Sequence, residues 1–338
     1  MSNLRIAVIG CGKQAPKHIS GFKKLPQLEI VLADIEPDRA EELAAKEGVK
    51  RVERIEDIFA DPSIRAVDIC TPTPAHYDLA LCAIAAGKDF FCEKPLCESA
   101  AQARAIAERL RARDTIGMVG FIYRFASVFE YAHNLFKDTA VSGESPDLGR
   151  VRGALFRLGG RGSHQVWKHR RENGGGAISE MLVHMLDLAL WYFGPVEQVF
   201  NVTQELLRPR RYFQDQLVEV DAEDYIVINY MTKSNVMVTC QADLITPAFS
   251  QYAEVQGENG TFMGSIQPYM PSFLYLDKPT AGHPGGRTNL EIPAGNLFEN
   301  QMAEFVHLVR TRQKPWRCTV EESVRLLELM EEIRGVIR

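Results

Sequence analysis

A short apolar run, Leu4 to Ile9, leads directly into Gly10-Cys11-Gly12-Lys13-Gln14-Ala15, and residues of helical spacing follow. Strand, glycine turn and helix in that order leave few folds open. The first glycine permits a tight turn, the second lets backbone approach a ligand closely, and the small Ala15 lets helix and strand pack. The helix start offers unpaired N–H groups and the positive end of its dipole, which suits phosphate. A second apolar run, Leu28 to Ala33, ends at Asp34, where a carboxylate accepts hydrogen bonds from a ribose and repels a 2′-phosphate. The segment therefore reads as a dinucleotide-binding unit. Gly10, Gly12, Lys13, Gln14, Asp34 and the adjacent Ile35 are the expected contacts, with NAD favoured over NADP.

The alternation continues to about Gly120. Strands are expected at Ala66 to Cys70, Asp89 to Cys92 and Thr115 to Val119, with a weak one near Val49 to Val52. Helices are expected at Asp38 to Glu47, Ala75 to Ala86 and Ser99 to Ala112, with Ser99 as N-cap. This is the pattern of a doubly wound parallel sheet. A helix from Val128 to Phe136 and a loop of turn formers from Val141 to Gly149 come next.

Beyond them the period changes to two, in runs such as Arg152 to Leu158, Val196 to Thr203, Asp224 to Met231, Val236 to Ala242, Tyr252 to Gln256 and Thr261 to Ile266. These read as antiparallel strands. Asn259-Gly260 is the strongest hairpin signal, because a type I′ turn needs positive φ at both central residues. Lys233-Ser234-Asn235 suggests a second turn. Helices over about Asn296 to Arg312 and Val320 to Ile337 close the chain. The expected division is a dinucleotide domain over residues 1–122 and an α+β domain over 123–338, whose last helix could pack back on the first domain.

Three further segments carry chemistry. Thr71-Pro72-Thr73-Pro74-Ala75-His76 and Glu93-Lys94-Pro95 follow parallel strands, so both should line the same sheet edge as the glycine loop. Thr71, Pro72, Thr73, His76, Glu93 and Lys94 join the expected cofactor contacts. Lys94 is the one amine fixed beside that edge, and a lysine tuned by its neighbours can donate or accept a proton; a solvated surface lysine is the competing reading. The third segment runs from Gly174-Gly175-Gly176 to Asp187. On a helix Glu180, His184 and Asp187 share a face, and an acid beside an imidazole suits proton transfer. A polar face that merely meets solvent is the alternative. Arg161, Lys168, His169, Arg170 and Arg171, near Trp167, form either an anion clamp or a solvated basic loop.

Composition narrows the class of partner. Over 338 residues the chain is 46% hydrophobic and 25% charged with a formal net charge of -5, enough for two folded domains and without the basic excess of a nucleic-acid binder. No apolar run has membrane length, and the first is too short for a signal-peptide core, so a cytoplasmic protein is expected. Seven scattered cysteines without a C-x-x-C pair read as free thiols, and no metal site is expected.

Taken together, the glycine motif, T-P-x-x-x-H, E-K-P and the G-G-G helix ending in His184 and Asp187 resemble the Gfo/Idh/MocA oxidoreductases, over essentially the whole chain. The resemblance implies a Rossmann domain followed by an α+β domain with an open-faced antiparallel sheet, through which homodimers or homotetramers form. It implies Lys94 as catalytic lysine, His184 as catalytic histidine and Glu180 in place of a usual aspartate. It also implies Trp167 near the cofactor, and Lys168 and Arg124 near the substrate together with Lys94, Glu180 and His184. Ile122 departs from the family, where asparagine often precedes the tyrosine. The expected activity is NAD-dependent hydride transfer to or from a secondary alcohol or ketone of a sugar, inositol or nucleotide sugar. An NAD-dependent glycoside hydrolase and a non-catalytic dinucleotide-binding protein are the alternatives.

Overall fold

In the computed structural model, which describes residues 3–161, 165–293 and 295–336, the N-terminal region alternates strand and helix. Strands β1 (Leu4–Ile9), β2 (Leu28–Ala33), β3 (Lys50–Arg51), β4 (Ile64–Ile69), β5 (Asp89–Cys92) and β6 (Gly117–Val119) form one sheet in the order β3-β2-β1-β4-β5-β6. Every pairing is parallel. Helices α1 (Ala15–Phe22), α2 (Pro37–Glu47), α3 (Ile55–Ala60), α4 (His76–Ala85) and α5 (Ala100–Arg111) make the crossovers. Ser99 caps α5 by accepting a 3.2 Å hydrogen bond from the Gln102 N–H. Strands β1, β4 and β5 are almost wholly buried, as a sheet covered on both faces requires. The strand order reverses between β1 and β4, so the carboxyl edge there brings Gly10, Cys70-Thr71 and Glu93-Lys94 to one place.

The second region contains α6 (Ser127–Phe136), α7 (Thr139–Ser142) and α8 (Val183–Phe193), with strands β7 (Glu144–Ser145), β8 (Gly149–Gly159), β9 (Val196–Glu205), β10 (Arg210–Phe213), β11 (Gln216–Glu219), β12 (Tyr225–Thr232), β13 (Met237–Asp243), β14 (Ser250–Gly257), β15 (Gly260–Gly264), β16 (Phe273–Leu276) and β17 (Gly286–Asn289). The large sheet runs β17-β16-β15-β14-β8-β13-β12-β9. It is mixed rather than wholly antiparallel, because β8 and β13 pair in parallel. Residues alternate along it: Ile226, Ile228 and Tyr230 of β12 and Val238 and Cys240 of β13 are buried, and the residues between them are half-buried or exposed. On the buried face Phe156 meets Tyr192 of α8 at 5.9 Å, and Phe136 of α6 meets Phe262 at 5.7 Å, which builds an aromatic core.

Turn chemistry departs from expectation at one hairpin. Strands β14 and β15 are joined at Asn259, yet neither Asn259 nor Gly260 has positive φ. Asn259 instead ties neighbouring segments together, donating to the carbonyls of Asp147 and Lys278. Gly260 is needed for strand approach, since a Cβ there would sit 2.0 Å from the Tyr275 carbonyl oxygen. The I′-like turn lies elsewhere, between β10 and β11, where Gln214 and Asp215 have φ of 47° and 65°.

The last helices are α9 (Leu297–Thr311), capped by the Asn296 side chain, and α10 (Val320–Val336). One unit of the fold comprises the chain to Phe125 together with Gly295–Glu328; the other starts at Ala126 and takes up the chain again from Leu329. In the first unit α9 packs on α1, where Met302 reaches the surface left bare by Gly21. All seven cysteines are free thiols, and no helix among the described residues is long and apolar enough to cross a membrane.

Candidate active site

The glycine turn has the geometry its residues demand. Gly10 has φ of 93°, and a Cβ there would lie 2.8 Å from the Thr71 backbone nitrogen, so the β1 turn lies tightly against the end of β4. Above Gly12, by contrast, a Cβ would meet nothing within 4 Å. Asp34 braces the turn: one carboxylate oxygen accepts from the Cys11 N–H at 2.7 Å and the other from the Glu36 N–H at 2.9 Å. Burial and the Asp34 charge push the Cys11 thiol up to about 12, which keeps it protonated. Gln14 Oε1 and Thr71 Oγ1 are buried without a hydrogen-bond partner among the described residues. Open backbone above Gly12 and two orphaned polar atoms at one sheet edge suit a ligand rich in hydroxyls and phosphate. Lys13, Pro72 and Ile35 are exposed beside them, Ile35 at 83%, and Thr73 is half-buried. The residues present fit a dinucleotide.

Lys94 follows β5 on the same edge, half-buried, in a cis peptide bond to Pro95. Three residues expected to touch a ligand are buried and hydrogen-bonded to protein groups. Glu93 is 8% exposed; its Oε1 faces His18 at 3.0 Å and its Oε2 accepts the Lys94 backbone N–H at 3.1 Å. His76 is buried with its ring nitrogens 2.8 Å from the carbonyl oxygens of Thr71 and Pro95, so it clamps the two loops together. Burial pulls its imidazole below the ordinary range. Arg124 is 2% exposed and reaches Glu322 Oε1 at 2.5 Å.

His18, on α1, is the residue that sequence reasoning missed. It is completely buried and stands 3.0 Å from Asp68 Oδ2 and 3.2 Å from Cys70 Sγ, as well as beside Glu93. His18 and, far from it in sequence, Asp68 and Cys70 place potential ligand atoms within 4.8 Å of one another. Their spacing is that of a hydrogen-bonded cluster.

In the second unit the glycines serve approach. A Cβ on Gly175 would lie 2.3 Å from the Lys168 carbonyl oxygen, and one on Gly176, whose φ is 113°, would lie 2.3 Å from Glu223 Oε1. The helix that follows begins as a π turn, Ile178–Leu182, with the Val183 N–H reaching back to the Ile178 carbonyl, before α8. The π turn breaks the regular ladder, so Glu180 and the α8 residues His184 and Asp187 do not lie on one regular α-helix. Glu180 and His184 are half-buried, while Asp187 is buried. The Lys168 ammonium is 2.6 Å from Glu180 Oε2 and lies 5.3 Å from the ring centre of Trp167, which is 40% exposed. The rest of the basic run divides: His169 is buried against Phe213, whereas Arg161 and Arg171 are exposed.

A family model for an oxidoreductase family with an NAD-binding Rossmann fold matches residues 4–121, and the Gfo/Idh/MocA C-terminal domain matches residues 143–263. The chain belongs to the Gfo/Idh/MocA oxidoreductase family. Among its relatives, the scyllo-inositol 2-dehydrogenase (NAD(+)) of Bacillus subtilis is 28% identical, with 78% of this chain and 75% of that protein covered. The levoglucosan dehydrogenase of Pseudarthrobacter phenanthrenivorans is 26% identical, over 63% of this chain and 57% of its own. A solved levoglucosan dehydrogenase, in complex with NADH and levoglucosan, superposes with a TM-score of 0.85 at 20% identity over 99% of this chain and 97% of that one. At that identity the likeness speaks for the fold.

In this Gfo/Idh/MocA chain the start of the Glu180–His184 helix is held by a residue without precedent in the motifs. Glu223 Oε1 accepts the Ile178 N–H at 3.1 Å, and its carbonyl accepts the Ala177 N–H at 2.9 Å. Burial raises its carboxyl above the ordinary glutamate range, against the opposing effect of the hydrogen bond and of Arg334 and Arg171. The folded state therefore holds this proton more tightly than the unfolded chain. The group favours folding at acid pH, and that contribution is lost as pH rises from the ordinary glutamate value through the raised folded one. Glu223→Gln keeps the acceptor without the charge. Its thermal unfolding midpoint should match wild type near pH 4 and equal or exceed it near pH 8; a variant less stable only at pH 8 would show that the charge is favourable there.

Proposed function

We propose that this chain is an NAD-dependent dehydrogenase acting on a secondary alcohol of a sugar, an inositol or a sugar derivative. The observation that carries this reading is the meeting of the open glycine turn, Asp34 and Lys94 at one sheet edge, in a family whose relatives include inositol and levoglucosan dehydrogenases. Bound NAD would accept hydride from the carbinol carbon. Lys94 takes the hydroxyl proton, assisted by His184 and Glu180, and Lys168 and Trp167 help to orient the sugar. Lys168, paired with Glu180 at 2.6 Å, aims its carboxylate, which offsets the extra methylene relative to an aspartate. The half-exposed face of the large sheet, with Val227, Met231 and Met237, is proposed as the contact between copies in a dimer or tetramer.

The test is to measure co-purified NAD(H), then to screen levoglucosan, inositols and nucleotide sugars for NAD reduction. Absence of both bound nicotinamide and reduction overturns the reading. Glycoside cleavage without net NADH would assign the hydrolase chemistry instead.

Asp34 gives a narrower prediction. If its carboxylate also meets the adenosine ribose, Asp34→Ala removes a charged hydrogen-bond acceptor worth about 1.5–3 kcal/mol, or roughly 10- to 150-fold in NADH affinity. NADPH binding should suffer less, because a repelled 2′-phosphate is no longer opposed. Fluorescence titrations with the two nucleotides read the ratio, and an unchanged ratio would remove Asp34 from cofactor selection.

A further inference from the structure

The buried His18 cluster connects three segments. His18 lies on α1, the helix that starts at the glycine turn; Asp68 and Cys70 end β4; and Glu93 follows β5, immediately before Lys94. The imidazole spans two carboxylates, with Nδ1 on Asp68 and Nε2 on Glu93, at 3.0 Å each. Both rings packed on it are apolar: Phe91 of β5 meets it edge-on at 5.4 Å, and Phe298 of α9 at 5.7 Å. Among the described residues the charged and titratable groups facing it are Asp68, Cys70 and Glu93, with Lys94 beyond Glu93 and Lys17 over the Phe298 ring at 5.1 Å.

Two buried carboxylates around one imidazole are stable only when the imidazole is charged. Burial opposes that charge, but the contacts with Cys70 and Asp68 hold the imidazole well above its ordinary range. Because burial also pushes the Cys70 thiol up, the charge that matters is that of Asp68. Glu93 shows the reciprocal effect. Burial alone would raise its carboxyl, and the His18 hydrogen bond and charge bring it below the ordinary value.

We propose that His18 is a positioning residue for Lys94: an imidazolium that fixes the Glu93 carboxylate holding the Lys94 backbone, and that shields the Lys94 amine from that carboxylate's charge. The cluster also ties the helix behind the dinucleotide turn to the Lys94 loop. The inference rests on reading Lys94 as the proton-transfer group, but its test needs no substrate. Loss of turnover on removing Lys94 tests the one, and titration of the Lys94 amine tests the other.

The whole chain is reductively methylated with 13C-formaldehyde, and the Lys94 signal is identified by its disappearance in Lys94→Arg. In His18→Gln the Glu93 charge is no longer neutralised, so the Lys94 titration midpoint should rise by about 0.5 unit or more. In the Glu93→Gln background the same His18 substitution should move it by less than about 0.2 unit, since the route through Glu93 is gone. An unchanged midpoint in His18→Gln, or an equal shift in both backgrounds, overturns the proposal. The unmutated protein supplies a second reading that survives a folding failure of the variants. The His18 ring 15N signals, assigned through contacts to Phe91, should remain those of an imidazolium at about pH 8, and a neutral ring there overturns the proposal as well.

Discussion

Lys94→Met should reduce turnover by roughly 10²- to 10⁴-fold, the range that a positioned proton-transfer group contributes, while NADH binding stays within about threefold of wild type. Methionine preserves the length and apolar stem of the side chain and removes only the amine. The backbone N–H that Glu93 holds at 3.1 Å is retained, which keeps that tie to the loop. The turn at Gly10 and the Asp34 brace are formed by other segments and are untouched. Lys94→Arg should also fail, because a guanidinium keeps the charge yet cannot give up its proton near neutral pH. Initial rates of NADH formation and a fluorescence titration with NADH separate the two effects. Normal turnover in Lys94→Met would remove the lysine from the chemistry, and loss of NADH binding would make it a cofactor anchor.

The parts of the first unit that could be read directly are those set by local chemistry. Strands β1, β2 and β5 are short apolar runs bounded by turn formers, and their ends fall where composition changes. Gly10 and Ser99 do what their residue types permit and few others could. His18 was not legible, because its role depends on partners 50 and 75 residues away that only the sheet order brings together. The same holds for Arg124, whose partner Glu322 lies 198 residues on.

In the second unit the period of two located the strands but not their direction. A parallel pair such as β8 and β13 has the same alternation as an antiparallel one. Strands β16 and β17 have four residues each, too few for a period to show. The hairpin between β10 and β11 turns on Gln214-Asp215, a pair with none of the glycine that usually marks positive φ. At the G-G-G helix, composition pointed to proton chemistry, while the π turn that separates Glu180 from the regular helix of His184 leaves no mark in residue spacing. Such turns recur at functional sites, where the broken ladder re-aims a side chain.

Gly176→Ala is the substitution expected to damage that helix most. Two independent costs meet at this position. Its φ of 113° is a region that L side chains rarely adopt, worth about 1–3 kcal/mol. A Cβ would also occupy the place of the Glu223 carboxylate, 2.3 Å from Oε1, so Glu223 must leave the Ile178 N–H. Losing a hydrogen bond to a charged acceptor adds about 1.5–3 kcal/mol. The variant should therefore be destabilised by roughly 2.5–6 kcal/mol, and what remains folded should turn over poorly, because the π turn carrying Glu180 starts at Ile178, the residue of the displaced contact. The two costs separate in a double variant. Adding Glu223→Ala makes room for the methyl group but leaves the backbone strain, so Gly176→Ala should cost less in that background than in wild type, by the steric share alone. Denaturant unfolding of the four proteins measures this, and equal costs in both backgrounds would place the whole effect in the backbone and none in Glu223.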